Sequence, residues 1–501
     1  MAFYHGVKTR ELATSLIAPV QIESGLPVIV GTAPLHLATA EDAAENCNKA
    51  KLIYTYSEAV EQFGYSEDWD KYTLCEFIYS QFALYGMSPC VLINVLDTTK
   101  HSEKITAREY TITDGEINLG KDILMSGFEA ASLDVDDDFG DDDDTESKIV
   151  YKLDIDYSLG YDDDGDLILN AISGGALTGK TRAFLTYTKI KPELVSANDI
   201  IGGIDSVTGD KKGLELVSEV FPKFRLVPGF IAAPKWSEKP AVAAVMRAKC
   251  ENINGIFTAM SVVDIPSDSN GADVYTKAAE WKNTNNYMSE FQIACWPLIK
   301  LDDKVFHLST QLIGLMNSVD NTNGDIPFES PSNKLLQMNA CVNAAGKEIF
   351  LGKDQADLLN SQGIVTALNF YGGWRAWGNR TATYPTNTDP KDDFIPIRRM
   401  FNWIRNEFTL TFWQNVDKPI TNRLIHTIID TFNIRLNGLR AIEAIAGGRI
   451  EFLSSENPLI KLMDGALVFH IYYTPPSPAE NIEGIFEYDP EYLESILNVI
   501  K

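Results

Sequence analysis

Residues 371–406 read YGGWRAWGNRTATYPTNTDPKDDFIPIRRMFNWIRN and form the most unusual stretch of this chain. This stretch, called the signature segment below, combines tryptophans and tyrosines with several arginines and a polar turn between Pro385 and Pro390. Aromatic rings offer large rigid surfaces, and guanidinium groups pair bidentately with carboxylates. Because a solvated loop needs neither property, the pattern predicts a domain junction with buried aromatic side chains or a segment with a specific function.

Length and composition limit the classes of protein to consider. The 501 residues, 45% of them hydrophobic, are enough for about two to four domains with their own cores. The formal net charge of −27 disfavours nucleic acid as a partner, since DNA binding needs clustered Lys and Arg. The six cysteines form no CxxC pair, so we expect reduced, buried thiols in a cytosolic fold. We see no signal-peptide pattern and no apolar run of ~20 residues, so neither export nor membrane insertion is expected.

Apolar strands and helical periods alternate in two parts of the chain, 25–97 and 195–385. Strands buried on both faces read as continuous apolar runs, and strand–helix–strand spacing is typical of βαβ units. We therefore predict an α/β fold with a doubly wound-like core made of both parts. The predicted strands begin at Pro27 and cover 90–97, 224–234, 255–266 and 291–299, and the predicted helices cover 57–63, 71–85, 239–252, 309–319 and 354–361.

Between these parts, residues 98–194 have the alternating pattern of antiparallel strands and few helix signals. We predict an inserted, mostly antiparallel β domain over 98–194. Aspartates at 134–144 and 162–166 repel one another and cannot pack, so they are expected in exposed loops.

The last part of the chain, 386–480, is predicted to be an α+β domain. Apolar residues recur at helical spacing after Pro419, so a helix is expected over 420–445, capped by Gly447 and Gly448. Strands are expected at 448–454 and 465–474. The prolines after Thr474 would then form a stiff connection to a C-terminal arm, 481–501. Residues 1–24, called the N-terminal arm below, have a weak strand pattern that cannot be stable alone, so the residues alone leave open whether they pair with another strand or form a frayed terminus.

Residues 174–181, GGALTGKT, match the phosphate-binding pattern G-x-x-x-x-G-K-[ST]. A P-loop needs a helix after the motif, whereas Arg182 begins an alternating, β-branched run. A glycine-rich hairpin is the preferred interpretation, and a nucleotide-binding enzyme that uses Gly174, Gly179, Lys180 and Thr181 is the alternative.

Other patterns for catalysis or metal binding are also unsatisfied. An EF-hand is excluded because Gly165 at the sixth loop position places Gly160 and Ala171 where acidic ligands are required. The six histidines are scattered, without an HExxH motif or a Cys/His cluster, and there is no G-x-S-x-G motif. We therefore expect no catalytic residue, no cofactor and no structured metal site, with at most weak divalent binding by the aspartates.

WRAWGNRTATYP (374–385) followed by DPKDDFIPIRRMFNWI (389–404) resembles the most recognisable segment of the tail sheath proteins of contractile bacteriophage tails, R-type bacteriocins and related injection systems. The resemblance extends through GLPVIVGTAP, DIIGGID, VPGFIAAP, ESPSNK, GIVTALNF, GRIEF, ENP and YYTPP and is weakest in the insertion. Its motif residues here are Trp374, Arg375, Trp377, Gly378, Asn379, Arg380, Thr381, Pro385, Asp389, Lys391, Asp392, Arg398 and Arg399.

The resemblance implies a structural subunit without enzymatic activity. Copies of the chain would stack as hexameric rings in a helical sheath around a tail tube protein, with baseplate and tail terminator proteins at its ends. Contraction would drive the tube through the target envelope. The particle would be assembled in the host bacterial cytoplasm as a virion tail or a phage-tail-like particle. Another self-assembling protein, such as a shell or surface-layer subunit, is the structural alternative.

The resemblance also implies particular contact residues. The two arms are expected to complete a sheet built on 448–452 and 466–473 of neighbouring subunits, because added strands bind through backbone hydrogen bonds. The family's C-terminal domain lies innermost, so the helix over 420–445 is expected to face the tube through Arg423, Arg435 and Arg440. The arm residues are Val7, Lys8, Thr9, Arg10, Glu11, Leu12, Ile485, Phe486, Glu487, Tyr488, Tyr492 and Leu493.

Overall fold

A mixed, mostly parallel sheet of eight strands is the centre of the fold. The computed structural model describes residues 24–132 and 149–493. Six parallel strands carry one antiparallel strand at each edge, and most of these segments are continuous buried apolar runs. From edge to edge the strands are Ala50–Ile53, Cys90–Asn94, Pro27–Gly31, Phe230–Ala232, Met260–Asp264, Gln292–Cys295, Ile364–Asn369 and Trp374–Trp377.

Helices pack against this sheet and share one hydrophobic cluster with it. The helix expected over 71–85 begins at Thr73 and continues as a π-helical stretch, Tyr79–Leu84. The α-helices of the described chain are Tyr56–Phe63, Thr73–Ile78, Ala197–Ile201, Val217–Phe224, Pro240–Glu251, Tyr275–Thr284, Leu308–Thr322, Lys353–Asn360, Pro390–Asp393, Ile395–Phe412, Asn422–Ala441 and Leu459–Met463. Within these residues no helix combines the length and apolar character needed to cross a bilayer.

The strands expected over 90–97, 255–266 and 465–474 are shorter than predicted, at Cys90–Asn94, Met260–Asp264 and His470–Thr474. Two further predicted strands are wrong in extent. The strand expected over 224–234 is confined to Phe230–Ala232, because Phe224 ends the helix Val217–Phe224 and Arg225 follows it in the left-handed conformation. The run 291–299 is two strands in different sheets, Gln292–Cys295 and Leu298–Leu301, separated at the Trp296–Pro297 peptide. The second strand pairs with Lys304–Phe306 and Ala340–Val342 in a small antiparallel sheet.

Residues 102–190 form two antiparallel sheets around a separate hydrophobic cluster. One contains Ser102–Thr111, Arg182–Ile190, Ile123–Ala131 and Val150–Tyr151, and the other contains Glu116–Asn118, Leu167–Ala171 and Tyr157–Tyr161. Asp162, Asp163 and Asp164 lie exposed in a turn. Aspartates 134–144 lie outside the described residues. A further short hairpin joins Gly203–Ile204 to Lys211–Lys212.

The C-terminal part has its own hydrophobic cluster, made by two helices and a two-stranded sheet. The long helix covers Asn422–Ala441, shorter at both ends than expected. Thr421 caps its start, where its side chain accepts a hydrogen bond from the Leu424 amide. Gly447 and Gly448 do not cap this helix; they begin the strand Gly447–Glu451, which pairs with His470–Thr474.

Candidate functional site: the signature segment and the roots of the arms

The first part of the signature segment is the edge strand Trp374–Trp377, antiparallel to Ile364–Asn369. The Trp374 ring packs on the central cluster, and the Trp377 indole N–H donates to Asp357 Oδ1 at 3.3 Å. Arg375 Nη1 donates to the Asn333 carbonyl at 2.6 Å. These side chains therefore fix the edge strand to the body of the same chain.

Gly378 makes the turn out of this strand. Its φ of +131° lies in a region open mainly to glycine, and a Cβ there would lie 2.7 Å from Asn360 Oδ1 and 3.1 Å from the Val365 Cα. The next residue, Asn379, is buried, and its carbonyl accepts from the Ile395 amide at 2.9 Å. The turn thus connects the sheet edge to the start of a helix that lies sixteen residues further along the chain.

Arg380 lies between two aromatic rings and two carboxylates. Its guanidinium carbon is 3.8 Å from the Phe394 ring centroid and 4.6 Å from the Tyr384 centroid. Nη1 donates to Asp393, and Nε donates to Glu480 Oε1 at 3.1 Å while Nη2 donates to Oε2. Burial raises the pKa of Asp393, and Arg380 opposes that rise. Arg380 therefore joins the signature segment to the root of the C-terminal extension.

The polar turn and short helix after Arg380 are held by capping and charge pairs. Thr381 is fully buried and its hydroxyl donates to the Asp392 carbonyl at 2.7 Å. Asp389 caps Pro390–Asp393, accepting from the Lys391 amide at 3.0 Å. Pro385 is exposed at the tip, after a cis peptide bond.

The carboxylate of Asp392 is paired inside the chain. Lys391 Nζ lies 2.9 Å and Arg398 Nη1 3.0 Å from its Oδ1. Burial raises the pKa of Asp392, but the two cations outweigh it and hold the pKa below its ordinary value. Asp392 is therefore held in a charge pair with Lys391 and Arg398 inside the chain.

Arg399 forms the most deeply buried pair of the segment. Its side chain and that of Asp320 are 3% and 2% exposed, and Arg399 Nη1 donates to Asp320 Oδ1 at 3.1 Å. Asp320 Oδ2 also accepts from the Ser24 hydroxyl at 2.6 Å. Asp320 therefore connects the signature segment to Ser24, the first described residue of the chain.

The helix Ile395–Phe412 joins the central body to the C-terminal part. Ile395 belongs to the central cluster, whereas Met400 and Trp403 belong to the C-terminal one. Asn406 and Thr258 exchange two hydrogen bonds, in which the Asn406 amide donates to the Thr258 carbonyl at 2.8 Å and the Thr258 amide donates back at 3.0 Å. This helix therefore contributes side chains to both hydrophobic clusters.

The three arginines expected to face a tube differ in environment. Arg423 and Arg440 are exposed on the long helix. Arg435 is half-buried, and its Nε donates to Glu407 Oε1 at 2.7 Å. Burial raises the pKa of Glu407 to about 7, with Arg435 opposing the rise. Arg435 is thus engaged inside its own subunit.

The two arms are described unequally. The N-terminal arm residues Val7, Lys8, Thr9, Arg10, Glu11 and Leu12 lie outside the described residues. Residues 481–489 are exposed and adopt neither helix nor strand in the single chain, and a helical turn begins at Glu491. The apolar side chains of this extension are largely in solvent: Ile482 86%, Ile485 81%, Phe486 98%, Tyr488 78%, Tyr492 76% and Leu493 51% exposed, beside the exposed Glu487.

The glycine-rich motif at 174–181 does not have the geometry of a P-loop. It forms turns between the strands Leu167–Ala171 and Arg182–Ile190, so no helix N-terminus faces it. The flanking strands belong to different sheets, so the hairpin interpretation is also wrong. In the described ranges no group of three or more His, Cys, Asp or Glu side chains could hold a metal ion.

Sequence reasoning missed four partners in these contacts: Ser24, Asp320, Glu407 and Glu480. Each lies far along the chain from the side chain that it reaches: Ser24 is 296 residues from Asp320, Asp320 is 79 from Arg399, and Glu480 is 100 from Arg380. No local motif marks them. The one available signal was the excess of arginine in the signature segment, which requires carboxylates from elsewhere in the chain.

Comparisons with known proteins extend the similarity to the whole chain. No protein-family model matches it. The chain is 26% identical over 504 aligned positions to the tail sheath protein of Burkholderia phage BcepMu, covering 98% of both proteins. Its fold is similar to the contracted-state PVC sheath complex of an extracellular contractile injection system, with a TM-score of 0.56 at 13% identity over 98% of this chain and 99% of that one.

A chain of the anti-feeding prophage baseplate gives a TM-score of 0.55 at 13% identity, covering 98% of this chain and 100% of that one. Sequence and fold comparisons therefore agree from one end of the chain to the other. The chain is similar in sequence to a phage tail sheath protein over nearly its whole length and similar in fold to a contractile injection system sheath, which confirms the resemblance first seen in the signature segment.

Proposed function

We propose that this chain is the structural subunit of a contractile tail sheath, which polymerises helically around a tail tube and contracts to drive the tube through the envelope of a target cell. The observation that carries the proposal is the alignment over 98% of both chains with a phage tail sheath protein. A partial match could reflect one shared domain, but a match over the whole length includes every part that a sheath subunit uses. The P-loop alternative has no support in the geometry of 174–181.

The proposed organisation has five parts. An N-terminal arm (1–24) and a C-terminal arm (481–501) exchange strands with neighbouring copies. A core (25–97 with 195–385) carries an outer, acidic insertion (98–194), and a C-terminal domain (386–480) faces the tube. The exposed apolar side chains of the C-terminal extension support strand exchange, since a monomer gains nothing by leaving them in water. The sheet of Gly447–Glu451 and His470–Thr474 offers edges for added strands, because two strands alone are marginally stable.

Partners follow from this organisation. Copies of the chain form hexameric rings that stack as the sheath, and head-to-tail contacts that do not close generate such a filament. A tail tube protein contacts the long helix, with Arg423 and Arg440 as its exposed charges. Baseplate and tail terminator proteins lie at the two ends of the sheath, and the particle is assembled in the host cytoplasm. No cofactor is needed, because the energy for contraction is stored in subunit packing during assembly.

Negative-stain electron microscopy of the purified chain tests the proposal. Hollow cylinders of uniform width, wide enough to enclose a tube, are the expected result. Flat lattices or closed shells would instead identify another kind of self-assembling protein. If the chain alone remains monomeric, the experiment is repeated with the tube protein added, because assembly of the sheath then requires a tube as its template. Failure to form cylinders on tubes would then overturn the proposal.

Two deletions test the arms and the orientation. Removing residues 1–15 is expected to abolish polymerisation while the far-UV circular dichroism of the monomer is unchanged. Normal cylinders from this variant would contradict strand exchange by the N-terminal arm. Removing residues 134–144 is the matched deletion, and it should leave assembly intact. Loss of cylinders in that case would contradict the outward placement of the insertion.

A further inference from the structure

Arg380 is a fixed point on the body of the subunit. Its side chain is only 14% exposed, between the rings of Phe394 and Tyr384 and against Asp393, which is itself 3% exposed. Cation–π contacts and a buried carboxylate together hold the guanidinium plane in one orientation. The remaining face of the fork, Nε and Nη2, points to Glu480.

Glu480 lies where the C-terminal extension leaves the body. Pro475, Pro476 and Pro478 precede it and restrict the backbone, so the carboxylate is presented with little loss of conformational freedom. Its side chain is 44% exposed and receives two parallel hydrogen bonds from Arg380. Bidentate pairing of this kind fixes direction as well as position.

Packing of the root of the extension is confined to the buried Pro475 and the half-buried Pro478, whereas the other residues of 474–481 are exposed. A cavity of about 840 Å³ lies between residues 476–481 and the signature segment, with Pro476 and Asn481 on one side and Trp377 and Asn360 on the other. The extension therefore spans an open space at this point. Beyond Glu480, the next apolar residue, Ile482, is 86% exposed.

We propose that Glu480 is a latch that ties the root of the C-terminal extension to Arg380, so that the apolar residues beyond it leave the body in one direction, toward a neighbouring copy of this chain. The identity of the partner, a neighbouring copy, rests on the proposed function. The latch itself acts within one subunit, so its effect on the extension can be measured in the monomer. A free root would sample many directions and would present the apolar residues to the neighbour only part of the time. The signature segment thus positions the arm as well as joining the domains.

Electron paramagnetic resonance of a nitroxide at Ile482→Cys tests the latch in the monomer. Cys47→Ser removes the half-buried thiol, and the other five cysteines are buried. Glu480→Gln is expected to sharpen the spectrum to that of a mobile label, whereas the matched variant Glu483→Gln, at an exposed position with no role in the latch, leaves it unchanged. High salt should mobilise the label in the parent protein and have little effect in Glu480→Gln. An unchanged spectrum in Glu480→Gln overturns the latch.

Assembly is measured on the same variants without the label. Glu480→Gln is expected to raise the concentration needed for cylinder formation by ~tenfold, the scale of one charge-assisted contact, and Glu483→Gln should match the parent. If Glu480→Gln mobilises the label but assembles like the parent, the role of the latch in assembly is refuted. If the parent itself forms no cylinders on tubes, the sheath proposal fails, while the spectra still decide whether the latch exists.

Discussion

Asp320→Asn is expected to be among the most damaging single substitutions in this chain. It removes the carboxylate that pairs with Arg399 at a site where both side chains are at most 3% exposed. The guanidinium would remain on the Phe230 ring, 4.6 Å from its centroid, without a counter-charge. Removing one partner of a buried ion pair costs about 3–5 kcal/mol, which is roughly two to four orders of magnitude in the unfolding equilibrium constant.

A double variant separates the cost of an unpaired charge from the value of the pair. Asp320→Leu with Arg399→Met leaves no buried charge, and replacing both partners by apolar groups is often neutral or stabilising. We therefore expect it to recover most of the stability lost in Asp320→Asn. Glu45→Gln serves as the surface control, because the Lys49–Glu45 pair is 49% and 75% exposed and such pairs contribute about 0–1 kcal/mol.

Urea unfolding of the monomeric variants, followed by circular dichroism and tryptophan fluorescence, measures these differences. The chain has three hydrophobic clusters and need not unfold in one step, so both signals are required. The unfolding transition that involves the helix Ile395–Phe412 should shift to a lower urea concentration in Asp320→Asn. If Asp320→Asn loses no more unfolding free energy than Glu45→Gln, the reasoning is refuted, because the buried Arg399 would then not depend on its counter-charge.

Three further predictions concern single residues. Gly378→Ala should destabilise the chain by about 2 kcal/mol or more, because the φ of +131° and the close neighbours of Gly378 leave no room for a Cβ. The control is Gly438→Ala, in an open helical position, which should stabilise the chain by about 0.5–1 kcal/mol in the same urea assay. Burial raises the pKa of Glu407 to about 7 from an unfolded value of 4.5, so the stability that the protonated Glu407 contributes is present below pH 4.5 and lost as pH rises through 7. Glu407→Gln keeps an oxygen acceptor for Arg435 but cannot ionise. In unfolding measured against pH, the stability of Glu407→Gln relative to the parent should therefore increase from pH 4.5 to pH 7. Equilibrium dialysis should find no saturable, magnesium-dependent ATP binding, and Lys180→Ala should not change that result; binding lost in the variant would restore the P-loop interpretation.

The central strands could be predicted because parallel strands buried on both faces must be continuous apolar runs. Helices such as Pro240–Glu251 were also found within one or two residues. The limits of 291–299 could not be predicted, since both halves are buried and apolar and only the tertiary fold assigns them to different sheets. The helix Ile395–Phe412 was not predicted because it is buried on most of its circumference and has charged side chains at positions where a core helix normally has apolar ones.

The position of those charges explains how the signature segment works as a joint. A helix shared by two hydrophobic clusters could slide or rotate if apolar contacts alone held it, because apolar packing is not directional. Arg399 and Asn406 remove that freedom, since each makes directional bonds to a partner in the central body. These bonds therefore set the position of the helix Ile395–Phe412 on the central body. Ser24, at the start of the described chain, donates to Asp320, and Glu480, before the exposed C-terminal extension, accepts from Arg380, so both contacts lead to arginines of the signature segment.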